Sequence, residues 1–178
     1  MGSPSTPKKV KLIAGLIASE LEYFASSGAA LVRRFGPIDF ESGFMDFGAT
    51  SYYNEELGFP LKRKFLSFAR LVKPEASSRI KLATNRIEKR LSRHGKRLVN
   101  IDPGYLDLSK LVLLTTKDYS HRIYLSKGIY GEVTLYYKNN TFNPWEWTYP
   151  DYKTIVYIDI FNKIRGIYRE QCLSNERA

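Results

Sequence analysis

The chain predicts an α+β fold, a mostly antiparallel sheet with helices on one face. Three observations carry this. Strand-like runs of alternating or continuous apolar residues recur between breaks rich in glycine, proline and asparagine. Two stretches, 75–93 and the C-terminal segment, instead carry apolar residues at helical spacing. The strand-like runs after residue 97 follow one another across turn-length gaps, which join antiparallel neighbours and are too short for parallel crossovers. The expected order is β-α-β-(short α)-β-α-β-β-β-β-α, with helices and strands partly segregated along the chain.

Residues 1–8 read as a disordered Ser/Pro/Lys leader, 9–172 as one domain and 173–178 as a frayed tail. VKLIAGLIA (10–18) is strand-like. Ser19 is placed to cap a helix over about 20–35, which Gly36-Pro37 stops. IDFESGFMDF (38–47) alternates as a strand, and TSYYNEELG (50–58) suits a short helical turn capped by Thr50. LKRKFLSFARLV (61–72) alternates as a strand with a basic edge. Beyond Pro74, Ile80, Ala83, Ile87 and Leu91 mark the apolar side of a helix over 75–93. RLVNI (97–101) is a strand, DPGY (102–105) a turn, and LSKLVLLTT (108–116) a buried strand. HRIYL and IYGEVTLYY form a hairpin across 126–128. WEWTYPDY (145–152) leads to a C-terminal helix whose stripe is Ile155, Ile158, Phe161, Ile164, Ile167 and Tyr168. Helix–IDFES–strand in the first half parallels helix–IDPGY–hairpin in the second, a pattern that two ferredoxin-like halves would give.

The net charge of +10 is unevenly placed. Residues 62–97 hold 13 basic and two acidic residues, and the remainder 15 basic and 16 acidic. A solvated helix face is the plain explanation; a surface that attracts phosphate accounts better for the clustering. The single cysteine, Cys172, cannot form an internal disulfide, and no apolar run reaches the length of a membrane span, so the cytoplasm is the expected compartment and no membrane partner is expected.

The hairpin orders its side chains. A loop over 126–128 pairs Ile123 with Gly131, Tyr124 with Tyr130, Arg122 with Glu132 and His121 with Val133. Arg122, Tyr124, Tyr130 and Glu132 then share a polar-aromatic face, while His121 falls on the apolar side. Arg122 and Glu132 read as a cross-strand pair on the wet side or as the floor of a site. His121 reads as a structural histidine or as an acid–base group.

No GxxxxGK[ST] or GxGxxG loop is present, and two histidines with one cysteine make no ordinary zinc site. Asp39, Glu41, Asp46, Asp102 and Asp107 could serve magnesium, but their spacing is not diagnostic, so no residue is assigned as a metal ligand and the cofactor is unknown.

FGPIDFES (35–42), TSYYNEELG (50–58), KRKFLSF (62–68), IKLATNRIE (80–88), RLVNIDPGY (97–105), TTKDYSHRIYLSKGIYGEVTL (115–135) and WTYPDY (147–152) together resemble an uncharacterised bacterial family, domain of unknown function 4416. Some of its members carry a GTP-binding label, although this chain has no phosphate loop. The resemblance implies no catalytic residue. It does bring many polar positions into view, and among them Arg63, Lys81, Arg97, Lys117 and Arg122 outnumber Glu56, Glu88, Asp102 and Glu132. Unpaired charges are costly to bury, so a cleft with residual positive charge is expected.

The expected function is therefore to bind a phosphate-rich ligand, RNA or a nucleotide, across the face bearing Arg122 and Glu132. Arg63, Lys81, Arg97, Lys117 and Arg122 would hold phosphate, with Tyr124 and Tyr130 stacking on bases. Whether the chain is an enzyme is left open; phosphoester chemistry would use His121 and Glu132 as the proton-moving groups. A non-catalytic adaptor whose basic helix docks an acidic protein is the alternative.

Overall fold

The computed structural model describes residues 2–48 and 53–177, the last three as backbone only. Its strands are β1 (Lys11–Ala18), β2 (Ile38–Glu41), β3 (Met45–Asp46), β4 (Lys62–Phe68), β5 (Asn100–Leu106), β6 (Lys110–Thr115), β7 (Ile123–Ser126), β8 (Ile129–Lys138) and β9 (Thr141–Pro144). Its helices are α1 (Leu21–Phe35), α2 (Asn54–Leu57), α3 (Ser77–Arg90) and α4 (Ile155–Arg177). The strands form one antiparallel sheet in the order β2-β4-β1-β5-β6-β8-β7, with β3 added to β4 and β9 to β8. The α+β class holds. No helix among the described residues is long and apolar enough to cross a membrane.

All eight residues of β1 are buried because the sheet is covered on both faces. Leu12, Ala14, Leu16 and Ala18 face α1 and α3, packing with Phe24, Leu31, Ile80, Ala83 and Ile87. Ile13 faces the other way, with Phe65, onto Phe161, Ile164 and Tyr168 of α4. The expected placement of helices on one face is thus corrected: α4 covers the second face. A strand whose two faces are both dry reads as a continuous apolar run, which is what KLIAGLIA is.

The β1-α1-β2-β4-α3-β5 segment, in spatial order β2-β4-β1-β5, is a ferredoxin-like split β-α-β unit. The rest of the chain does not repeat it. β6, β8 and β7 extend the sheet as a meander, β9 folds back on β8, and α4 returns across the uncovered face. One ferredoxin-like unit with an extension replaces the two expected halves.

Local departures have local causes. Ser19 does not cap α1, whose N-cap is Glu20, without a side-chain bond. The run 38–47 breaks at Ser42, whose hydroxyl accepts the Phe65 N–H, so β2 and β3 are separate short strands. The 50–52 part of the second helical turn, with the proposed Thr50 cap, lies outside the described residues. DPGY is not a turn but the middle of β5. Pro103 is tolerated there because it pairs with Ala14 of β1 on one side, while the β6 ladder begins only at Gly104. Asn139 and Asn140, both left-handed with φ of 53° and 61°, turn β8 into β9.

Gly104 is required by close approach. A Cβ there would lie 2.5 Å from the Val112 carbonyl oxygen and 3.0 Å from Leu113. Backbone cannot yield as a flexible side chain can, so Gly104→Ala should destabilise the fold by about 1–3 kcal/mol, measured by urea unfolding.

Candidate functional site

The α4 face of the sheet is polar at one end. Cross-strand register places Arg63 (β4) and Asn100 (β5) on either side of Ile17, and Phe65 and Asp102 on either side of Gly15. The segment 145–153 runs from β9 back over this end. Thr148 anchors it through a 2.6 Å bond to the Thr134 carbonyl of β8. Further along, Asp151 and Tyr152 reach Arg63.

Arg63 is 3% exposed. Its Nη2 lies 3.3 Å from Asp151 and its Nη1 lies 3.6 Å from Asp102 and 3.4 Å from the Tyr152 hydroxyl. The rings of Phe47, Phe65 and Tyr152 surround the guanidinium at 5.0, 5.3 and 5.6 Å. Gly15 makes the reach possible, since a Cβ there would sit 2.7 Å from Arg63 Nη1. Burial opposes the charge, but Tyr152, Asp102, Tyr157 and Asp151 outweigh it and hold the pKa above the ordinary arginine value. Burial also raises the Asp151 carboxyl, against the pull of Arg63.

Arg97 is the second centre. Its Nε and Nη2 grip both oxygens of Glu56 at 2.7 and 2.6 Å, while Nη1 reaches Asn100 at 3.0 Å and Glu88 at 3.5 Å. The forked bond from Arg97 holds the Glu56 carboxyl below its usual range. Lys81 and Glu88 lie on α3, across the sheet from Arg63. Lys81 Nζ donates to the Ile101 carbonyl at 3.1 Å, and Glu88 accepts the Ile101 N–H. They satisfy the backbone of β5 where β6 has not yet begun to pair, a structural task that occupies Lys81, expected to bind ligand, on the α3 side of the sheet.

Arg122, His121 and Glu132 form the third centre. The predicted register holds at Ile123–Gly131 and Tyr124–Tyr130 and slips at Ser126–Ile129. The strand starts at Ile123, however, and a turn from Tyr119 to Arg122 precedes it. His121 therefore escapes strand parity. Its Nε2 lies 3.3 Å from Glu132 Oε2, on the face expected to hold Arg122 and Glu132 and not His121. The Arg122–Glu132 pair is buried rather than wet, with Nε 2.8 Å from the carboxylate. Both oxygens of buried Glu132 are engaged by neighbours, Oε2 by Arg122 and His121 and Oε1 by Thr134. It is placed to orient the His121 ring rather than to meet a ligand.

Arg122 also donates to the Tyr149 hydroxyl at 2.7 Å and to the Lys117 carbonyl at 3.0 Å. Tyr149 lies two residues before Asp151, so segment 145–153 links this centre to Arg63. His121 stacks at 5.8 Å on Trp147, which stacks on Trp145, and Tyr119 meets the His121 ring edge-on. Lys117 lies in the exposed turn beyond Thr115. Tyr124, 58% exposed, meets Tyr130 edge-on at 68° at the far end of the hairpin, away from the three arginine centres.

The structure thus brings Arg63, Arg97, Arg122, His121 and Glu132 into one belt, and leaves Lys81, Lys117, Tyr124 and Tyr130 outside it. The expected surplus of cations is corrected. Arg63 has Asp102 and Asp151, Arg97 has Glu56 and Glu88, and Arg122 has Glu132. Asp151 was the acid missing from the count; it reaches Arg63 from 88 residues away. Tyr149 and Trp147 were missed for the same reason, and no local pattern marks them. The carboxylates considered for magnesium are also engaged: Asp39 by Lys11, Glu41 by Lys64, Asp46 by Lys62, Asp102 by Arg63 and Asp107 by Lys110. Among the described residues no cluster of three or more His, Cys, Asp or Glu could hold a metal ion.

A family model for an uncharacterised domain of unknown function (DUF4416) matches residues 8–168. The chain belongs to that family. Comparison with curated proteins and with solved structures found no match.

Two outcomes test the belt. Arg63→Met leaves Asp102 and Asp151 without their shared cation and should cost about 3–5 kcal/mol in urea unfolding. Glu56, depressed by Arg97, adds stability that is fully present above its unfolded pKa of about 4.3 and is lost as pH falls through the folded value. The stability gap between wild type and Glu56→Gln should therefore be widest near neutral pH and close below about pH 4, as followed by thermal unfolding across pH.

Proposed function

We propose that the chain binds RNA through the outer face of α3 and the turn that follows it. The observation that carries this reading is a set of unpaired exposed cations. Arg79, Arg86 and Arg90 are spaced to share one stripe of the helix, flanked by Lys89, Arg93 and Lys96. All six are exposed, and none makes an ion pair among the described residues. The surplus positive charge expected from residues 62–97 resides here, and not in the belt.

Helix stability accounts for part of the stripe. Lys89 and Arg90 sit in the last turn, where the helix dipole favours cations. Arg79 sits in the first turn, where the dipole disfavours cations and no acid lies in the same turn. Four of the six are arginines, whose forked donors match phosphate oxygens. The sheet offers no open platform for bases, because α4 and segment 145–153 cover the face bearing Glu132. RNA bound on α3 would be held by its backbone and recognised by shape and charge.

Binding to RNA homopolymers, followed by fluorescence anisotropy across salt, tests the reading. Wild type should bind at low salt, with log K falling linearly against log salt. Arg86→Ala/Arg90→Ala should bind more weakly and flatten that slope by about 1.4, with an unchanged melting temperature. Failure to bind RNA at low salt, or equal binding by the variant, overturns the reading. Capture of an acidic protein by the same face without RNA binding would favour the adaptor role instead.

A further inference from the structure

A cavity of about 690 Å³ lies at the other end of the molecule, between the last turns of α4, the β5–β6 turn and the chain at residues 7–10. Its size is in the range of small-molecule sites. It shares no residue with the α3 stripe or with the arginine belt. Its walls combine three tyrosines, Tyr105, Tyr137 and Tyr168, with the cations Lys8, Lys110, Arg165 and Arg169.

The one lining acid, Asp107, is fully engaged. Its Oδ1 accepts the Ser109 N–H and hydroxyl and the Lys110 N–H, and its Oδ2 takes Lys110 Nζ at 2.7 Å. Arg165 is built differently. Its Nε donates to the Leu108 carbonyl at 2.9 Å, and its guanidinium lies 3.4 Å from the centre of the Tyr137 ring. One hydrogen bond and one ring face fix the plane of the group, and its two Nη nitrogens have no partner among the described residues. Arg169, one turn further along α4, is exposed and makes no hydrogen bond or ion pair among the described residues. Two guanidiniums without carboxylates therefore stand beside an aromatic wall, one of them already immobilised. A fork held in place loses little freedom when it takes a phosphate.

We propose that this cavity binds a phosphorylated small molecule bearing a planar ring, of the mononucleotide class. The phosphate is taken by Arg165 and Arg169, and the ring lies against half-buried Tyr105, since Arg165 already covers a face of Tyr137 and Tyr168 is packed in the core. An aromatic wall favours such a ligand over a simple anion, since a planar ring gains stacking that inorganic phosphate cannot. The site goes beyond the RNA-binding reading and does not depend on it.

Thermal-shift and calorimetric titration of the full chain with AMP, GMP, CMP and UMP, alongside inorganic phosphate and adenosine, decides the matter. At least one mononucleotide should raise the melting temperature and bind more tightly than either control. Arg169→Ala, which removes no hydrogen bond or ion pair among the described residues, should weaken it about tenfold or more, and Arg165→Lys should do likewise while keeping its charge. Arg86→Ala/Arg90→Ala should bind the mononucleotide as wild type does, which separates this site from the RNA-binding face. The proposal is overturned if no mononucleotide binds at millimolar concentration, if phosphate alone binds as tightly, if the cavity variants bind like wild type, or if the α3 variant loses the ligand.

Discussion

The buried guanidinium of Arg63 is the constraint on which the rest of this structure depends. A charge so fully removed from water is tolerated only with counter-charges and hydrogen bonds around it. Here they come from three separate parts of the chain: β4 carries the arginine, β5 supplies Asp102, and segment 145–153 supplies Asp151 and Tyr152. Gly15 of the central strand is the gap across which they meet. Meeting that requirement holds segment 145–153 against the sheet, which sets the start of α4 and delivers Tyr149 to Arg122 two residues before Asp151.

The cations of this protein fall into two populations, and only one of them is neutralised. Arg63, Arg97 and Arg122 are turned inward and bound to acids, so they bind β4, β5, α2 and β8 into one end of the sheet. The cations of the α3 stripe are turned outward and compensate nothing. A net charge of +10 is therefore a property of the helical surface, not of the polar interior. That division moves the proposed RNA contact away from the sheet and makes the arginine belt a structural network that also orients His121.

The extension beyond the ferredoxin-like unit has a matching consequence. Such a unit covers one face of its sheet with two helices, here α1 and α3. The meander, β9 and α4 close the other face, with Tyr157, Phe161, Ile164 and Tyr168 packed over Ile13 and Phe65. Aromatic side chains that could have met bases on an open sheet are instead core residues or stack among themselves along Trp145, Trp147 and His121. The uncovered ground lies at the ends of the sheet and on the backs of the helices, which is where the cavity and the basic stripe occur.

What the sequence determined by itself was whatever repeats within a few residues. The apolar stripe of α3, that of α4 apart from Ile155, which is 78% exposed, the continuous run of β1, and the hairpin register at Ile123–Gly131 and Tyr124–Tyr130 all follow from backbone periodicity, which is a local property. Tertiary structure decided what local pattern leaves undetermined. DPGY carries turn residues, yet β1 holds it extended along one edge. His121 lies two residues before its strand, so alternation could not orient it. The matching of Arg63 to Asp151 was beyond reach, because charge pairs over distance in space and not along the chain. Counting acids and bases gives their balance; only the folded path of the backbone chooses which of them meet.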